Sequence, residues 1–206
     1  MRKKHSQANR GLDLYETPAC AVASLIQHEK LPHGLWESSC GRGAIAEVLL
    51  DAGHAVYCTD LVDRGYIHQA ATGDFLKSTG CPHGVDGIVM NPPYAWAALH
   101  VRHALRLCPY VVTLLPLAFL EAGNSKTESG RARLFCLDHG HLARVLVFRE
   151  RLPFMHRDGW AGPRASSNTP FAWFVFDGDH QGDATVKRIS WKSAARIVDD
   201  ATVAGA

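Results

Sequence analysis

The sequence predicts an α/β fold: a mostly parallel, doubly wound sheet with helices on both faces. Three observations predict it. Short apolar runs that read as strands alternate along the chain with segments of helical periodicity. No internal repeat or long low-complexity tract interrupts that alternation. The last two strand-like runs have no helical pattern between them, which predicts an antiparallel strand toward one edge of the sheet. At 206 residues, 47% hydrophobic and 20% charged, the chain is long enough for one domain with a sizeable core.

Thr17 and Pro18 open a helix that runs over 20–27, Thr17 as N-cap and Pro18 at the first helical position. Val22, Leu25 and Ile26 share its apolar face. Strands follow at 34–38 and 55–59. Between them a helix over 43–52 carries Ile45, Val48 and Leu49 and ends at Gly53, a C-cap glycine. A weakly signalled third strand falls at 66–71. The fourth, at 87–90, is stopped by Pro92 and Pro93, which neither a helix nor a central strand tolerates. A helix over 96–107 leads to a fifth strand at 110–115, closed by Pro116. Helical pieces over 117–121 and 131–139 flank a polar loop, 123–130. Strands at 144–148 and 171–176 bring the sheet to seven, and residues from about 178 to 206 read as a peripheral C-terminal segment. Residues 1–12 read as a basic, flexible N-terminus ahead of a single domain.

No apolar run approaches the roughly 20 residues that cross a bilayer, so no membrane partner is expected. The opening MRKKHSQANRG has no apolar stretch after it and is not a secretory signal, which predicts a cytoplasmic location. The six cysteines form no CxxC pair and read as reduced, mostly buried small hydrophobes. Cys136, His139 and His141, with Cys81 and His83, lack the paired spacing of a zinc site, so no metal is expected. A net charge of +2 identifies no partner by itself. Its arginines do cluster at Arg149, Arg151, Arg157 and Arg164, as a solvated face or as contacts to phosphates.

In sheets of this kind ligands sit beyond the carboxyl ends of the strands. After the first strand comes Glu37-Ser38-Ser39-Cys40-Gly41-Arg42-Gly43, where two glycines let backbone approach a ligand closely. The third glycine of a dinucleotide motif is missing, which argues against a pyrophosphate site. Asp60 ends the second strand, placed to accept from both hydroxyls of a ribose or to cap a turn. After the third, Asp74 can accept from an exocyclic amino group and Phe75 can pack on a purine face. In order, these residues describe a nucleoside pocket with no phosphate grip.

The fourth strand then delivers Asn91-Pro92-Pro93-Tyr94. An amine that is to be alkylated needs an available lone pair. Asn91 Oδ1 and the Pro92 carbonyl can each accept one N–H of a planar amino group, drawing its nitrogen toward tetrahedral geometry. Proline stiffness fixes both acceptors, and Tyr94 can stack on the ring that bears the amine.

With these motifs in this order, the chain resembles S-adenosylmethionine-dependent amino-methyltransferases of the N6-adenine DNA type, from about Asp13 to Phe176. The resemblance implies the seven-stranded Rossmann-like class I methyltransferase fold. It also implies a first cofactor motif, Leu14-Tyr15-Glu16-Thr17-Pro18, with Thr17 near the methionyl carboxylate. Tyr15, Thr17, Pro18, Glu37, Ser39, Gly41, Gly43, Asp60, Leu61, Asp74, Phe75 and Asn91 become the implied cofactor residues, Gly41 and Gly43 along the methionyl part. S-adenosyl-L-homocysteine is the implied product. Segments LLPLAFLE, RVLVFRERLPF and PFAWFVF resemble the small methyltransferases of phages and prophages. By the same resemblance Phe154, then Trp160, completes a stack on the target base with Tyr94, and the four arginines contact the DNA backbone.

Relatives of this motif order commonly append a target-recognition domain, and only about thirty residues follow the last strong strand here. Loops 123–130 and 149–169 are therefore expected to read sequence, giving a short or relaxed recognition site. The expected partner is DNA, double- or single-stranded, acted on by a monomer or weak dimer. Adenine in RNA and the glutamine amide of a protein release factor present similar planar NH2 groups and stay open. So does a non-catalytic DNA-binding module on a retired scaffold.

Overall fold

The computed structural model describes residues 16–121, 126–153 and 169–194. Its strands are β1 (Gly34–Glu37), β2 (Ala55–Asp60), β3 (Gln69–Thr72), β4 (Gly87–Met90), β5 (Tyr110–Pro116), β6 (Leu142–Phe148), β7 (Phe171–Asp177) and β8 (Thr185–Ile189). They form one sheet in the order β3-β2-β1-β4-β5-β7-β6-β8. All run parallel except β7, which pairs antiparallel with β5 on one side and β6 on the other. The mostly parallel sheet with an antiparallel strand toward one edge is the expected one, with eight strands in place of seven.

The eighth strand falls in the segment expected to be peripheral. Its sequence, TVKRI, gave no strand signal because only Ile189 turns into the core and the other four residues are exposed. Lys187 and Arg188 on this edge discourage pairing with another sheet.

Helices α1 (Ala19–His28), α2 (Ala46–Asp51), α3 (Ala97–Leu107) and α4 (Glu128–His139) cover the two faces. Successive residues of the buried strands divide between two cores, as a pleat requires. Ile88, Met90, Val111, Leu115 and Phe174 pack with α3 and α4, joined by Ala98, Val101 and Cys136. Val89, Val112, Leu114, Trp173 and Val175 pack on the other face with Val22, Leu25 and Leu49 of α1 and α2. Trp173 Nε1 donates to the Ala21 carbonyl at 3.0 Å, fixing α1 on that face. No helix among the described residues is long and apolar enough to cross a membrane.

Four local expectations change. The first helix begins at Ala19 with Pro18 as N-cap residue, and the Thr17 side chain does not cap it. The helix expected over 43–52 is the shorter α2, because residues 41–45 form a turn with Gly41 and Gly43 at φ of 57° and 85°. The third strand starts later, at Gln69. The polar loop ends sooner, since Thr127 caps α4 by accepting from the Gly130 N–H at 3.0 Å.

Candidate functional site

The chain reverses direction across the sheet between β1 and β4, and the carboxyl ends of these two strands form the crevice where such folds bind ligands. From β1 the chain passes Glu37 into the glycine turn, which three contacts hold in place. The Cys40 N–H donates to the Thr59 carbonyl at 3.0 Å, and the Gly41 N–H donates to Asp60 Oδ2 at 2.8 Å. Ser38 Oγ sits 3.7 Å from Met90 Sδ, tying the turn to the last residue of β4. The other oxygen of Asp60 accepts from the Val62 N–H at 3.1 Å, so this carboxylate closes its own turn as well as the glycine turn.

Asn91 follows β4 directly. Its Nδ2 donates to Thr17 Oγ1 at 3.1 Å across 74 residues of sequence, which sets the amide plane and turns Oδ1 to the opposite side. Thr17 is buried, and neighbouring Glu16 lies 3.9 Å from Arg42 in the glycine turn. The N-terminal motif is thereby held to the glycine turn on one side and to Asn91 on the other. Pro92 is buried and Pro93 exposed, and Tyr94 opens a 3-10 turn, Tyr94–Trp96, that runs into α3. The Tyr94 ring packs on Phe171 at 5.6 Å, tilted by 46°.

No protein-family model matches the chain, and no curated protein matches it. Solved structures do. A protein assigned as the modification subunit of a type I restriction enzyme from Vibrio vulnificus superposes with a TM-score of 0.59 at 13% identity, over 88% of this chain and 48% of its own. The type IIG restriction endonuclease BpuSI gives 0.55 at 14% identity, over 82% of this chain and 26% of its own. A protein assigned as an RNA methyltransferase from Pyrococcus horikoshii gives 0.50 at 13% identity, over 79% of this chain and 85% of its own. The fold is the Rossmann-like methyltransferase fold. The chain thus spans about half the length of the Vibrio protein and about a quarter of the endonuclease.

In this methyltransferase fold the remaining sequence-derived residues take varied places. Glu37 is 2% exposed, with one carboxylate oxygen, Oε2, that has no hydrogen-bond partner among the described residues. Burial holds its carboxyl well above the usual range, and the Asp60 charge adds to the effect. Cys40 beside it is pushed up to about 12 by burial and by the charges of Glu37 and Asp60, so it is no thiolate nucleophile. Asp74 Oδ1 accepts from the Leu76 N–H at 3.1 Å and caps a short 3-10 turn, Phe75–Lys77. The Phe75 ring is buried, stacked on His100 at 5.8 Å and edge-on to Trp36 at 5.2 Å. Leu61, next to Asp60, is 56% exposed, and Pro18 and Ser39 are half-buried.

Arg149 and Arg151 line a cavity of about 230 Å3 with Phe148, Glu150, Pro170 and Phe171. Phe171 also touches Tyr94, so this cavity adjoins the turn that follows β4. The neighbouring segment expected to be peripheral anchors the two arginines: Arg149 N–H donates to the Ile189 carbonyl, and Trp191 Nε1 to that of Arg151. Tyr15, Phe154, Trp160, Arg157 and Arg164 lie outside the described residues.

Sequence reasoning missed three residues at this edge. Tyr66 packs over the glycine turn. His100 stacks on Phe75 and bonds the Trp96 carbonyl through Nδ1 at 3.0 Å. Trp96, two residues beyond Tyr94, is 57% exposed. Only the last carried a signal, as an aromatic ring beside a rigid turn.

Proposed function

We propose that the protein transfers a methyl group from S-adenosyl-L-methionine to the exocyclic N6 amino group of adenine in DNA. The observation that carries this reading is Asn91-Pro92-Pro93-Tyr94 at the end of β4, with Asn91 bonded to Thr17 and the glycine turn adjoining Met90. The donor set fits the cofactor. Glu37, Asp60 and Asp74, at successive strand ends, suit a ligand rich in hydroxyl and amino groups, and Glu37 Oε2 is a buried acceptor with no donor among the described residues. Thr17, Gly41, Asp60 and Asp74 would hold it. When bound, the cofactor supplies an electrophilic methyl on a sulfonium centre.

The chain's own residues supply positioning. Asn91 Oδ1 and the Pro92 carbonyl accept the two N–H groups of the target amine and leave its lone pair directed at the crevice. Tyr94, braced by Phe171, stacks on the flipped base and offsets part of the few kcal/mol that unstacking costs. Arg149 and Arg151 contact the backbone beside it. Two of the structural neighbours bear names of restriction enzymes or their modification subunit, which supports DNA. Another is named as an RNA methyltransferase, so adenine in RNA is the second reading. The release-factor glutamine and the retired scaffold are further readings that the same assay separates.

The deciding experiment incubates the protein with labelled cofactor and DNA, RNA or release factor, then identifies the modified product by mass spectrometry. N6-methyladenosine from RNA, or methylglutamine, in place of N6-methyldeoxyadenosine would overturn the DNA assignment. Replacing Asn91 with Ala is expected to lower methylation by about 10²–10³-fold while S-adenosylhomocysteine still binds. Retained turnover in Asn91→Ala would remove Asn91 from its role.

A further inference from the structure

Gly43 sits at φ +85°, and a Cβ at this position would lie 2.2 Å from Cε2, 2.3 Å from Cζ and 2.7 Å from Cδ2 of Tyr66. No packed side chain approaches that closely, so the aromatic ring fills the notch that the glycine leaves. Tyr66 belongs to the connection from β2 to β3, and its carbonyl accepts the Gln69 N–H at the start of β3. The same connection is pinned at its beginning, where Asp60 accepts from Gly41 N–H and Val62 N–H. Beneath the ring lie Cys40, Ala46 and Cys58. Burial pushes the phenol up, as do Glu47, Cys58 and Glu37 around it, so the hydroxyl stays neutral. Leu61 and Ile67 of the same connection are 56% and 87% exposed.

We propose that Tyr66 is a positioning residue for the cofactor. Its ring locks the β2–β3 connection onto the glycine turn, and Gly43 is required by Tyr66 rather than by the ligand. The connection carries Asp60 and Leu61 at its start and leads through β3 to Asp74, so the ring sets the spacing between the glycine turn and the nucleoside-binding acids. This rests on the cofactor reading given above.

The test is a double-mutant cycle on the full chain: Gly43→Ala, Tyr66→Ala and both together, with Tyr66→Phe as the conservative variant. Calorimetry reads S-adenosylhomocysteine affinity, and thermal melting without ligand reads the fold. Tyr66→Phe is expected to bind within about twofold of the parent, and Tyr66→Ala about tenfold more weakly. Gly43→Ala loses at least as much. The doubly substituted protein binds no worse than Tyr66→Ala and melts above Gly43→Ala, because removing the ring removes the clash. The backbone strain of Ala at positive φ is present in both and cancels from that comparison. Losses that simply add, in affinity and in melting, would overturn the proposal and return Gly43 to the ligand. If the parent protein binds no S-adenosylhomocysteine, the cofactor reading falls instead, while ligand-free melting still reports the Tyr66–Gly43 coupling.

Discussion

Glu37 is a carboxyl group held where its charge is disfavoured, by burial first and by Asp60 second. Its folded pKa lies above its unfolded one, so between those values the folded protein binds more protons. Stability therefore falls as pH rises through that window. Glu37→Gln removes the dependence: melting is expected to rise relative to the parent at pH 8 and to match it near pH 4. An unchanged difference across that range would show that Glu37 does not titrate on unfolding. His100 works in the opposite direction. Burial lowers its pKa from 6.5, so the unfolded chain takes up the proton first and stability declines as pH falls below 6.5. Acidification should thus loosen the Phe75–His100 stack, which His100→Gln would make insensitive to pH in the same melting series.

At the ends of the elements, charge holds the layers together. Arg144 on β6 donates Nε and Nη2 to the two oxygens of Glu29 at 2.7 and 2.9 Å, and Nη2 also reaches Asp177 Oδ2 at 3.2 Å. Tyr110 of β5 donates its hydroxyl to Glu29 Oε1 at 2.8 Å. One residue at the C-cap of α1 thereby joins β5, β6 and β7 at the end of the sheet opposite the site. The Glu29 side chain is 6% exposed and that of Arg144 30%, so the pair is only partly screened. Arg144→Ala leaves Glu29 buried without its main partner and is expected to cost about 2 kcal/mol, readable by urea unfolding. S-adenosylhomocysteine affinity should be unaffected, since none of these residues faces the crevice. A loss below about 0.5 kcal/mol would class the pair with ordinary surface bridges.

Over the whole molecule, strand order decides what meets. Residues 17, 37–43, 60 and 91 are distant in sequence, and the reversal between β1 and β4 gathers them at one edge. The cavity beside Tyr94 is different in kind. Phe171 comes from β7, and Arg149 and Arg151 from the end of β6, where β8 and Trp191 buttress them. Under the function proposed above, recognition falls to the connections 123–130 and 149–169, which are expected to read few bases. On DNA of random sequence, methylation is expected across short, degenerate contexts, counted by sequencing the modified adenines. A strict site of six or more base pairs would contradict this.

The sequence by itself determined the elements whose signal is local. Apolar runs placed β1, β2, β4, β5, β6 and β7 to within a residue or two, because most of their residues are buried, β2 being the exception with Ala55 and Tyr57 exposed. Pro92 and Pro93 ended β4 where the backbone can go no further, and put Asn91 and Tyr94 at its carboxyl end. Only the tertiary structure decided what needed a partner distant in sequence. Strand β8 is stabilised by pairing with β6 rather than by its own apolar pattern. Thr17 bonds Asn91 instead of capping α1, Phe75 turns into the core against Trp36 and His100, and Gly43 yields its space to Tyr66. Each depends on which side chain arrives from another element, and neither propensity nor spacing along the chain encodes that arrival.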